Sequence, residues 1–166
     1  MPLVLYTQLK NTDLHALSAF EALVHVMKLD TLRTLKRYQR WKIETTTPVD
    51  LSFFISNSYV LANSNKESVS DVAPPLHSSS DTMAFRLFIK SPLVDAIDIM
   101  NKLNTQFDNC IHSLSHRFVW DLTVARQGRS EASIEAFVLD HMIVSRSSTQ
   151  GLLVNPLLDQ FELTRI

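Results

Sequence analysis

The sequence predicts an α+β protein in which a small antiparallel sheet carries helices packed on one face. Period-2 alternation of apolar residues opens the chain at 2–10 and returns at 81–91. Between and after these segments, apolar residues recur at helical spacing. With 166 residues, 45% of them hydrophobic and 20% charged, the chain can bury the core of one domain spanning 1–166.

In "PLVLYTQLK" (2–10), Leu3, Leu5, Thr7 and Leu9 alternate with Val4, Tyr6, Gln8 and Lys10, the pattern of a half-buried strand. "NTD" offers Thr12 or Asp13 as the N-cap of a helix running to about Lys28, with Ala16, Leu17, Phe20, Leu23, Val24 and Met27 on one face. Asp30 then reads as the cap of a second helix over 31–42. The β-branched and aromatic stretch "TTTPVDLSFFIS" (45–56) reads as a strand. Residues 57–81, rich in Ser, Asn and Pro, read as a long loop.

"DTMAFRLFIKS" (81–91) alternates Met83, Phe85, Leu87 and Ile89 as another strand. Ser91 as N-cap and Pro92 as first helical residue predict a helix to at least Ser115, with Asp95 and Asp98 favoured early by the helix dipole. Residues 117–126 fit either a strand or an extension of that helix. A turn at Gly128 precedes a helix capped by Ser130 and reaching about Val144, and the apolar tail docks as a short helix or strand. No internal repeat of architectural length is visible. The order β, α, α, β, β, α matches a split βαβ arrangement resembling the ferredoxin-like fold.

Composition removes several function classes. Gly128 and Gly151 are the only glycines, so loops that cradle phosphates are hard to build and no cofactor is expected. The lone Cys110 forms no internal disulfide, and the start of the chain lacks the features of a secretory signal, which reads as a cytoplasmic protein. No apolar run approaches the roughly 20 residues of a membrane span.

Charge is uneven. Residues 1–42 hold seven Lys or Arg against three acids, whereas the remainder holds nine against fourteen. In "LKRYQRWK" and just before it, Arg33, Lys36, Arg37 and Arg40 recur at i, i+3, i+4 and i+7, one stripe of the expected helix, with Lys42 beyond. Such a stripe suits phosphate contact, and Tyr38 and Trp41 suit stacking on bases.

Residues 2–42, as strand, helix and basic helix, resemble the ribbon-helix-helix DNA-binding family, with "KLDT" in place of that family's Gly-x-Ser/Thr turn. The resemblance implies a homodimer whose paired strands enter the major groove, Tyr6, Gln8 and Lys10 facing base edges. Asp30 and Thr31 would then bring backbone N–H groups near phosphate. The expected function is a non-enzymatic, homodimeric transcriptional regulator binding DNA, or RNA. Its site is Tyr6, Gln8, Lys10, Arg33, Lys36, Arg37, Arg40 and Lys42. The alternative is a structural or adaptor subunit of a larger protein or ribonucleoprotein assembly.

Asp108, His112 and His116 would share one helical face, but three groups without a fourth ligand do not make a structural metal site. No "GxSxG" elbow accompanies the many serines, His25 lies across from the apolar face of its helix, and Cys110 fits a core position. No catalytic or metal-binding residue is assigned.

Overall fold

A computed structural model describes residues 2–147 and 150–166. The architecture is α+β, a six-stranded antiparallel sheet with four helices. The elements are β1 (Leu3–Leu9), α1 (Leu14–Glu21), β2 (Leu32–Thr45), α2 (Leu51–Asn57), β3 (Glu67–Ser70), β4 (Thr82–Lys90), α3 (Ala96–Gln106), β5 (Ile111–Ala125), α4 (Glu131–Val138) and β6 (Gln160–Arg165). Single π-helical turns, Ala22–Val26 and Leu139–Ile143, prolong α1 and α4.

The strand order is β3-β1-β2-β5-β4-β6. The chain therefore runs β-α-β-α-β twice, and the order β3-β1-β2 is mirrored by β6-β4-β5. Hence a repeat of architectural length exists after all, in topology. The sequence keeps only traces of it, such as Trp41 with Trp120 and Phe54 with Ile134 at equivalent places.

The chain divides into two compact units. Unit 1 comprises residues 1–11, 38–74 and 92–118, and unit 2 comprises 12–37, 75–91 and 119–166. The long strands β2 and β5 contribute residues to both. In unit 1, Leu5, Trp41 and Ile43 meet Phe54 of α2 and Leu103 of α3, with Phe107, Cys110 and Ile111 completing the cluster. Unit 2 buries Phe85 and Leu87 of β4, Leu122 and Val124 of β5, and Ile134, Val138, Met142 and Ile143 of α4 and its π-turn. There Gly151 (φ 69°) is required, because a Cβ would lie 1.8 Å from the Val144 carbonyl oxygen.

The strands expected at 2–10 and 81–91 form, as do the helices capped by Asp13 and Ser130. Asp13 accepts from the backbone N–H groups of His15 and Ala16 at 2.9 and 3.2 Å. The second helix over 31–42 does not form, since those residues are β2. Buried positions along β2 are Leu32 and Tyr38, then Trp41 and Ile43, so the inward parity changes midway and the apolar spacing mimics a helix. The strand expected at 45–56 does not form over 51–56, which lie in α2 because the Asp50 carboxylate caps the Phe53 N–H at 2.6 Å.

The expected helix over 91–115 is shorter. Asp95, not Ser91, is its cap, and it ends at Gln106. Asn104 accepts the Ile111 N–H and donates to the Ile111 carbonyl, both at 2.8 Å, while Asp108 and Asn109 adopt left-handed φ of 50° and 54°. That clamp turns the chain into β5, so that 117–125 are strand. The expected loop at 57–81 contains β3.

The ribbon-helix-helix arrangement is not formed. Both edges of β1 are occupied within the chain, by β2 (Leu5↔Trp41, Tyr6↔Arg40) and by β3 (Tyr6↔Ser70, Gln8↔Ser68), and its second helix is a strand. No described helix is long and apolar enough to cross a membrane.

Candidate binding surface

Pairing of β1 with β2 sets which residues share a face. Val4 opposes Lys42 and Tyr6 opposes Arg40, and alternation adds Gln8 and Tyr38 to the same side. The opposite side carries Leu5, Thr7, Trp41 and Ile43 toward α2 and α3. Four of the eight site residues expected from sequence, Tyr6, Gln8, Arg40 and Lys42, thus come together in unit 1. They do so through strand register rather than helical spacing.

The remaining four do not join them. Lys10 lies past the end of β1 and donates to the Ser64 carbonyl at 2.7 Å. Arg33, Lys36 and Arg37 belong to unit 2. There Arg33 donates to the Asp30 carbonyl at 3.1 Å, and Lys36 is exposed. Arg37 pairs with Asp13 at 3.1 Å and lies over the Trp120 ring, 5.8 Å from its centroid.

On the unit 1 face, Tyr6 meets buried Tyr38 edge to face at 5.9 Å. Lys42 pairs with Glu44 at 3.1 Å, and His112 approaches the other Glu44 oxygen at 3.4 Å. The hydrogen bond from Lys42 holds the Glu44 carboxyl below its ordinary range, with the charges of Lys42 and His112 adding to it. Trp41, expected to stack on bases, is buried, with its indole N–H 3.4 Å from Thr7 Oγ1.

Folding also redistributes charge. Unit 1 carries six cations (Lys10, Arg40, Lys42, Lys66, Lys102, Arg117) against seven carboxylates (Glu44, Asp50, Glu67, Asp71, Asp95, Asp98, Asp108). Unit 2 carries ten of each. The cationic first quarter of the sequence is thus divided between two nearly neutral bodies.

The expected helical face of Asp108, His112 and His116 does not exist. No three His, Cys, Asp or Glu side chains gather as a metal site among the described residues. His116 is buried instead, its ring 4.4 Å from that of Trp41 and its Nε2 hydrogen-bonded to Gln39 Oε1 at 2.9 Å. Its Nδ1 has no partner among the described residues. Burial pushes its pKa down to about 4. The unfolded chain, with an ordinary histidine near 6.5, therefore binds the proton first as pH falls.

Stability from this group is complete above pH about 6.5 and is lost as pH falls toward 4, a change of order 2–3 kcal/mol. Urea unfolding at pH 7 and pH 5 is expected to show this loss in the parent and a flatter dependence in His116→Gln. Equal slopes in the two proteins would refute it.

Sequence reasoning missed the bidentate pair of Arg86 with Asp121, because nothing in either segment marks two distant charges as neighbours. It also missed Gln106 and Phe53, which face a cleft beside α2. No protein-family model, curated protein or solved structure matches this chain.

Proposed function

We propose that this protein is a non-catalytic structural or adaptor subunit that joins a larger protein assembly through exposed apolar side chains. The observation that carries this reading is a pair of exposed apolar residues at or just before the start of each of two helices. Leu14 and Leu17 of α1 are 69% and 43% exposed, Leu93 in the turn that leads into α3 is 85% exposed, and Ile97 in the first turn of α3 is 69% exposed. Single exposed leucines are ordinary, whereas paired ones at the equivalent helices of a duplicated topology form repeated sticky surfaces. The near-neutral charge of each unit supports a protein partner over a polyanion.

Size-exclusion chromatography with light scattering tests it. The purified chain is expected to self-associate as concentration rises. Leu17→Glu combined with Ile97→Glu should return it to monomer with its secondary structure kept. A monodisperse parent that these substitutions leave unchanged would overturn the proposal.

A second reading has a specific observation behind it. Tyr6, Gln8, Arg40 and Lys42 share one sheet face, which supports a nucleic-acid surface in a DNA- or RNA-binding protein, as a monomer or a homodimer. For that reading, Arg40→Ala with Lys42→Ala should weaken binding to duplex DNA or single-stranded RNA at low salt by about tenfold or more. Unchanged binding in both assays would remove it.

A further inference from the structure

The connection from β2 to α2 in unit 1 forms a wall common to two clefts. One, of about 500 Å³, is lined by Pro2, Leu3 and Thr45–Val49. The other, of about 480 Å³, is lined by Thr46–Asp50, Phe53, Gln106–Asp108 and Cys110. The first has mainly apolar walls in Pro2, Leu3, Pro48 and Val49. The second has a different chemistry.

Its lining holds two carboxylates, Asp50 and Asp108, and neither Lys nor Arg. Asp50 uses Oδ1 to cap α2, whereas exposed Asp108 makes no hydrogen bond or ion pair among the described residues. The side-chain oxygen of Gln106 is buried there without a donor among the described residues. A buried acceptor left in that state is costly, but being closed to solvent it is not itself a contact for a ligand in the cleft. Phe53, 58% exposed, stands edge to face with Phe107 at 6.3 Å and offers an aromatic surface. Exposed carboxylates beside an exposed aromatic ring favour a planar cation with several N–H donors, the chemistry of a guanidinium group.

We propose that the cleft bounded by Phe53, Gln106 and Asp108 receives an arginine side chain from a protein partner, with an apolar residue near it in sequence occupying the cleft lined by Pro2, Leu3 and Pro48. The inference rests on the adaptor reading and specifies one residue type that the partner presents. Two clefts with a shared wall, one acidic and one apolar, favour a linear segment over a free amine, which would use only the acidic half.

The full chain, labelled with ¹⁵N, is titrated with a capped peptide carrying one arginine between two leucines. Parallel titrations use the same peptide with neutral, isosteric citrulline, and agmatine alone. The arginine peptide is expected to shift the amides of residues 46–50 and 106–110, with affinity at least about tenfold above both controls. Asp108→Asn and Phe53→Ala should each weaken it about tenfold. Asparagine tolerates the left-handed backbone at 108 and Phe53 is mostly exposed, so both variants keep the fold.

Equal binding of the citrulline peptide, agmatine binding as tight as the peptide, or no shift with any probe would each overturn the inference. Both variants leave Leu17 and Ile97 intact. A failed titration beside a positive light-scattering result therefore rejects the arginine site and keeps the adaptor reading, and a negative light-scattering result rejects the reading beneath it.

Discussion

Replacing Phe54 with alanine is expected to destabilise the protein by about 3–5 kcal/mol, the range for emptying a fully buried aromatic site. Phe54 is 0% exposed and its ring stacks on Phe107, 4.4 Å between centroids at 26°. It connects α2 to the cluster built on Leu5, Trp41 and Leu103, so its loss opens a void bordered by two helices and the sheet. Neighbouring Phe53 supplies the control, because its side chain is mostly exposed and Phe53→Ala should cost about 1 kcal/mol or less. Urea unfolding followed by tryptophan fluorescence in a Trp120→Phe background reads Trp41, which lies in the same cluster. Similar costs at positions 53 and 54 would show that the core is not organised around Phe54.

The second large effect is expected at Asp121. Arg86 grips it with Nε on Oδ1 and a terminal nitrogen on Oδ2, both at 2.8 Å, and the Asp121 side chain is only 3% exposed. A pair of this kind adds little over a well-packed apolar pair, yet removing one partner leaves the other's charge desolvated and less well compensated. Asp121→Ala should therefore cost about 3–5 kcal/mol, while Arg86→Met with Asp121→Leu should recover most of that loss. The comparison is a double-mutant cycle read by thermal or urea unfolding. A double variant no more stable than Asp121→Ala would contradict the argument, as would a nearly neutral single substitution.

Parts of the fold were legible because one physical signal acted alone. In β1 and β4, alternation meets a single buried side, and Asp13 and Ser130 start α1 and α4 with side-chain caps. β2 was misread because its two halves bury opposite parities, so that Leu32, Leu35, Tyr38 and Trp41 fall every third residue. α2 was misread because seven apolar and polar residues are too few to show a period, and the Asp50 cap competes with the strand propensity of Phe53 and Phe54. The candidate surface was half legible. Tyr6 and Gln8 were placed on the right side of a strand, whereas Arg40 and Lys42 joined them through a pairing that no local pattern encodes. The ion pairs of Arg37 and Lys42 depend on Asp13, on another element, and on Glu44, whose role a helical reading of 31–42 hides.

The way the duplicated topology is divided has a consequence for synthesis. Helix α1 comes from the first half of the chain but belongs to unit 2, and α3 comes from the second half but belongs to unit 1. On the ribosome, unit 1 can close once residue 118 has emerged, while residues 12–37 must wait for partners at 119–166. A nascent chain therefore displays Ala16 and Leu23, which the finished fold buries, with no body to dock on until residues 119–166 have emerged. That interval makes α1 the segment most in need of a chaperone.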